Sequence, residues 1–222
     1  MKRFVFVAVM ALTLMFSGMA QTTSHQSLLW SALSKYRMVD SVKQVILVQY
    51  TGGTSAHVKM FVKSWTSGKP VWDEVVSCPA NVGKNGIGKE REGDMRTPVG
   101  DFGMLQAFGI KPNPGTELPY VDVVESTYCC GDTKAYNRII DLRDVPHSCE
   151  GEHMIEYTPA YNYGFFFDYN KECVFGKGSA LFFHCTDVKP YTAGCVAVPE
   201  KDMVTILRAI DKNARLIIDS AS

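Results

Sequence analysis

The sequence predicts a mainly β domain with a few helices, arranged as a β-sandwich. Three observations point there. Ala56, Val58, Met60 and Val62 alternate with polar neighbours, the two-residue period of a half-buried strand. Short apolar runs are separated by tight turns such as Gly52-Gly53 and Gly68-Lys69-Pro70, with no strand–helix–strand rhythm and no internal repeat. Aromatic residues make up 11% of the chain, with Gly and Pro scattered along it, a composition that suits short strands and turns.

Taken in order, the first 20 residues read as a secretory signal peptide. Lys2 and Arg3 form a basic start, Phe4 to Phe16 an apolar run, and Gly18-Met19-Ala20 a small-residue site with cleavage expected after Ala20. The run is shorter than the ~20 residues that span a bilayer. No later stretch is long and apolar enough either, so no integral membrane segment is expected after cleavage. The product is expected to be secreted or periplasmic. Losing Lys2 and Arg3 leaves 21 basic against 23 acidic residues, a net −2, which argues against a nucleic-acid partner. The mature length suits one domain and a monomer.

Residues 21–41 form an N-terminal helical segment, with Leu28, Leu29, Ala32, Leu33 and Tyr36 on one stripe of a helix over 24–39. The main domain then runs over 42–222. Val42 to Tyr50 is a strand, and Val71 to Ser77 completes a hairpin with the alternating run. Asn81 to Met104 is rich in glycine but lacks G-K-[ST] and dinucleotide-fingerprint spacing, so nucleotide binding is set aside. Inside it, Pro98 biases Thr97 to an extended shape, and Gly100 allows a bend before a strand starting at Asp101. Phe165 to Phe167 read as core strand, with Tyr161 and Tyr163 a weaker sugar-stacking option. A helix from Glu200 to Asp211 and a strand at Leu216 to Ile218 close the chain.

Seven cysteines in an exported chain imply oxidising surroundings. Cys78, Cys129, Cys130, Cys149, Cys173 and Cys185 could form three bridges. Adjacent Cys129 and Cys130 are poor partners for each other, so at least one is expected to bridge Cys149 or another distant cysteine. No C-x-x-C spacing is present, and no metal or cofactor is expected.

The chemistry is concentrated in Lys177 to Met203. An apolar run, Ala180 to Phe183, ends on His184, and eleven positions later Cys195 follows Gly194 in a tight turn. An imidazole beside a thiol can take its proton and leave a thiolate at neutral pH, and Gly194 suits a turn whose N–H groups face an oxyanion. The bland alternative is a structural cysteine beside a surface histidine.

Three stretches in order carry a resemblance to a known family. Thr97-Pro98-Val99-Gly100-Asp101-Phe102 is followed by Gly178-Ser179-Ala180-Leu181-Phe182-Phe183-His184 and Thr192-Ala193-Gly194-Cys195-Val196-Ala197-Val198-Pro199. Over residues 42 to 218 this resembles the L,D-transpeptidase catalytic domain (YkuD-like) family. The resemblance implies that family's β-sandwich and a cysteine acyl-enzyme formed on peptidoglycan stem peptides, with Cys195 as nucleophile, His184 as base and Gly194 framing the oxyanion hole. L,D-carboxypeptidase activity from the same site and a non-catalytic cell-wall-binding domain are the alternatives. Ala193 and Ala197 stand where the better-known pattern has His and Arg, so the substrate's carboxylate must be recognised elsewhere. The related branch places a Cys/Asp motif and Tyr-Asn between the first two of these stretches. On that resemblance Asp132, Tyr136, Asn137 and Arg138 are the substrate-binding candidates.

Overall fold

The computed structural model describes residues 29–220. The signal peptide expected over residues 1–20 and the first part of the helix expected over 24–39 lie outside the described residues. A helix, α1, occupies residues 29–36. It is followed by a meander of long strands, β1 (Gln44–Gly52), β2 (Ser55–Thr66) and β3 (Lys69–Asn81). After the glycine-rich loop come β4 (Gly100–Phe102), β5 (Met104–Gly109) and β6 (Tyr120–Asp122). A small insertion holds β7 (Thr127–Cys130), β8 (Arg138–Asp141) and β9 (Gly151–His153). The chain then returns through β10 (Gly164–Phe167), β11 (Phe182–Cys185), β12 (Val196–Val198), helix α2 (Glu200–Ala209) and β13 (Arg215–Ser220).

Ten strands form one mixed sheet in the order β4-β13-β1-β2-β3-β12-β11-β10-β5-β6, and β8-β7-β9 form a second, small sheet. The large sheet folds over on itself. Phe102 on β4 packs against Phe167 on β10 with ring centroids 5.2 Å apart, although six strands separate β4 from β10 in the sheet order. Its inner face is one core that joins Ile46, Val58 and Leu216 to Phe165 and Phe183. The alternation predicted for β2 is present, with Ala56, Val58 and Met60 buried on one face. α2 adds Met203, Ile206 and Leu207 to the same core and ends at Ala209, two residues short of the predicted Asp211.

The cysteines form the bridge expected from the Cys129-Cys130 pair to Cys149, and only that one of the three that six cysteines could make. One bridge forms, Cys130–Cys149, while Cys78, Cys129, Cys173, Cys185 and Cys195 are free thiols. The reason is positional. Cys78 on β3 and Cys185 on β11 are separated by β12. That puts them about two strand spacings, roughly 10 Å, apart, beyond the ~7 Å Cα limit for a disulfide.

Candidate active site

β11 and the turn before β12 run side by side, because Phe183 pairs with Val196 and His184 with Ala197 in a parallel ladder. That register carries Cys195 opposite Phe182 at the start of β11, so the thiol and the His184 ring, eleven apart in sequence, come onto the wall of one cavity. Cys195 is buried, 6% exposed, among Phe182, Phe108 and Tyr161.

The thiol has two backbone partners. Sγ donates to the Ala180 carbonyl at 3.2 Å and accepts the Phe182 N–H at 3.2 Å. Burial, with the charge of Glu152 adding, pushes the thiol up to about 12. At rest it is therefore a protonated thiol, where sequence reasoning expects a thiolate. His184 is buried too, and burial lowers its pKa, so the ring is neutral at pH 7. Its Nδ1 lies 2.7 Å from the Cys185 carbonyl, which can only accept. The proton is thus on Nδ1, leaving the Nε2 lone pair free. No hydrogen bond joins imidazole to thiol among the described residues, but both line one cavity.

The turn is fixed from behind by Thr97. Its hydroxyl donates to the Cys195 carbonyl at 3.0 Å and accepts the Gly83 N–H at 2.9 Å, while Thr192 Oγ1 donates to the same carbonyl at 2.7 Å. The extended Thr97 expected before Pro98 thereby ties the glycine-rich loop to a turn 98 positions away. That loop winds around Asp94. Burial pulls the carboxyl up, yet the Lys89 ammonium and the N–H groups of Glu90, Arg91 and Arg96 hold it well below the usual carboxylate range. Gly194 sits at φ +145°, and a Cβ there would meet the Arg96 carbonyl at 2.9 Å and Leu181 Cδ2 at 3.0 Å. Only glycine fits.

Thr97→Val keeps the shape but removes the hydroxyl, leaving the Gly83 N–H unsatisfied in a buried site. A loss of about 1–3 kcal/mol is expected, read as a fall in Tm of roughly 2–10 °C. An unchanged Tm would show that Thr97 does not hold the turn.

Two cavities open onto Cys195. One, about 260 Å³, is walled by His184, Tyr157, Tyr161, Asp187, Lys189 and Tyr191. The other, about 300 Å³, is walled by Lys89, Glu92, Cys129, Ser179 and Leu181. Met95, Glu152, Ala193 and Cys195 face both. Glu152, outside the four named substrate-binding candidates, reaches the site through β9. Burial raises its carboxyl to about 7. Tyr161 donates to its Oε2 at 2.5 Å, and Oε1 has no partner among the described residues.

Asp132, Tyr136, Asn137 and Arg138 line neither cavity. Buried Asn137 instead accepts the Ala180 N–H and donates to the Asn170 carbonyl, which holds the segment whose carbonyl accepts the thiol's hydrogen bond. Tyr136 donates to Glu92 and accepts the Gly178 N–H. Asp132 caps the turn at Lys134 and Ala135, and Arg138 is exposed on β8. Ligand atoms of Cys130, Asp132, His147 and Cys149 lie within 4.8 Å of one another. The two sulfurs are joined to each other, so the cluster is a covalent clasp flanked by one imidazole and one carboxylate.

The family model of the L,D-transpeptidase catalytic domain (YkuD) matches residues 43–218. No curated protein matches the chain. Among solved structures, an L,D-transpeptidase (Yku) from Stackebrandtia nassauensis is 12% identical with a TM-score of 0.35, covering 80% of this chain and 55% of its own. L,D-transpeptidase 1 of Mycobacterium tuberculosis is 10% identical with a TM-score of 0.34, covering 79% and 62%. A cysteine-to-serine variant of the Enterococcus faecium L,D-transpeptidase is 11% identical with a TM-score of 0.35, covering 80% and 50%. The chain thus spans between half and two thirds of the length of these structures.

Proposed function

Because this chain belongs to the L,D-transpeptidase catalytic-domain family of cysteine-dependent enzymes, we propose that Cys195 is its nucleophile and that peptidoglycan stem peptides are its acyl donors. One observation carries the reading. A thiol held by backbone groups sits where two cavities meet, with a neutral imidazole on the wall of one of them.

In this reading a donor stem enters the His184 cavity and presents the carbonyl of its third residue to Sγ. His184 Nε2 takes the thiol proton as the C–S bond forms, then gives it to the departing terminal D-amino acid. The Gly194 N–H is already used by the Thr192 hydroxyl at 3.1 Å. The Cys195 N–H, which has no acceptor among the described residues, is the oxyanion donor. An acceptor amine resolves the thioester to a crosslink, and water resolves it to an L,D-carboxypeptidase product. Among the described residues no helix is long and apolar enough to cross a membrane. The Cys130–Cys149 bridge fits an oxidising compartment, as secretion or export to a periplasm would provide.

The direct test is incubation with a disaccharide-tetrapeptide. Release of the terminal D-amino acid together with a Cys195 thioester mass is the expected outcome. A folded protein that gives neither would sink the stem-peptide assignment, and detection of the protein only in the cytoplasmic fraction would sink the exported location.

A further inference from the structure

The two cavities flanking Cys195 differ in charge, and the difference assigns a job to a residue outside the Cys–His pair. Besides Glu152, which faces both, the His184 cavity carries one lysine and one aspartate, Lys189 and Asp187, whose charges offset each other. The second cavity carries Glu92 and Glu152, and its lysine, Lys89, is already paired with Asp94 at 2.8 Å with both side chains nearly inaccessible to solvent. That cavity therefore has acidic charge to spare beside the nucleophile. Glu92 is committed, since its Oε2 accepts from Tyr136 at 2.5 Å and from Ser179 at 2.7 Å. Glu152 is only half committed. Tyr161 fixes Oε2, while Oε1 is left without a partner on a residue that faces both cavities.

We propose that Glu152 receives the acceptor: it binds the ammonium group of a primary-amine acceptor in the second cavity and takes its proton before attack on the thioester. The proposal rests on the transpeptidase reading and deepens it by naming the residue that binds the acceptor amine and takes its proton. The step balances. The ammonium gives one proton to the Glu152 carboxylate and becomes a neutral amine. Its lone pair forms the C–N bond as the C–S bond breaks, and the second N–H proton passes through His184 to the departing sulfur. Products are an amide, the Cys195 thiol and protonated Glu152, which returns its proton to solvent. A carboxyl raised by burial is a stronger base than an ordinary one, and a cationic guest also relieves the repulsion from Glu92. Water needs no ammonium site, so Glu152 biases the acyl-enzyme toward crosslinking.

The experiment measures partition of one acyl-enzyme. The full chain is loaded with a tetrapeptide donor, and a stem peptide ending in a diamino residue competes with water. In wild type the aminolysis-to-hydrolysis ratio should rise with pH through about 7, where Glu152 ionises. Glu152→Gln should lower the ratio by about 10², the low end of general-base assistance, and abolish the inflection. A ratio unchanged in Glu152→Gln would overturn the proposal, as would a flat wild-type profile, which needs no variant to fold. Absence of any acyl-enzyme in wild type is a different failure, because it removes the transpeptidase reading itself.

Discussion

Cys195→Ala is expected to abolish covalent capture of a carbapenem, whose strained carbonyl imitates the acyl donor. Wild type should gain one adduct mass, mapped to the peptide carrying Cys195, and the variant none. Cys195→Ser should also fail, because a hydroxyl is far less acidic than even a thiol raised to about 12. Mapping the adduct matters more than labelling free thiols. Five cysteines are free, and Cys173 is more exposed than buried Cys195, so a general thiol reagent should reach Cys173 first. Selectivity for Cys195 would then reflect the site's own acyl recognition. An adduct on Cys173, or one that persists in a folded Cys195→Ala protein, ends the nucleophile assignment. Because the side chain is small and sits in a packed wall, the alanine variant should keep a thermal transition close to wild type.

His184→Ala should slow acylation by about 10²–10⁴, the usual worth of a positioned general base. With the thiol near 12, only about one molecule in 10⁵ carries a thiolate at pH 7. Attack therefore needs a base at the moment of bond formation. The sign of the pH dependence follows from burial, which lowers the imidazole pKa below its ordinary 6.5. Wild-type acylation should hold through neutral pH and fall only on an acid limb placed below 6.5, where Nε2 becomes protonated. In His184→Ala that limb should vanish, and the remaining rate should climb about tenfold per pH unit as hydroxide supplies the missing base. A folded variant with wild-type kinetics and an unchanged acid limb would assign the proton transfer to another group. Glu152 would be the first to examine.

What the sequence made legible here follows the reach of each signal. Period-two alternation in β2 and the apolar spacing of α2 are local, and both elements form where expected. His184 and Cys195 were legible because a strand end and a glycine turn bracket them, and a single ladder then brings the two together. Glu152 did not stand out from its polar neighbours. Its environment is made by Tyr161 from one segment and Glu92 from another, and nothing in its own stretch announces either. Asn137 shows the converse. The resemblance makes it a substrate-binding candidate, whereas the chain buries it against Ala180 and Asn170, where its amide serves backbone groups. The cysteine count could not foresee that Cys78 and Cys185 end on strands too far apart to bridge.

The position of β13 bears on the order in which the domain can assemble. The final strand lies between β1 and β4, parallel to one and antiparallel to the other, with Val45 opposite Arg215 and Ile218 opposite Gly100. Neither partner can complete its ladder until residues 215–220 have been synthesised. Until then β1 offers an unpaired edge along Val45–Val48, a run fully enclosed in the finished fold. Such an edge is a template for wrong pairing. Contacts spanning about 170 residues also make closure slow, since the loop must be drawn in before any of them forms. The β2–β3 hairpin can pair locally, whereas the open flank of β1 stays exposed to wrong pairing until the last strand has been made.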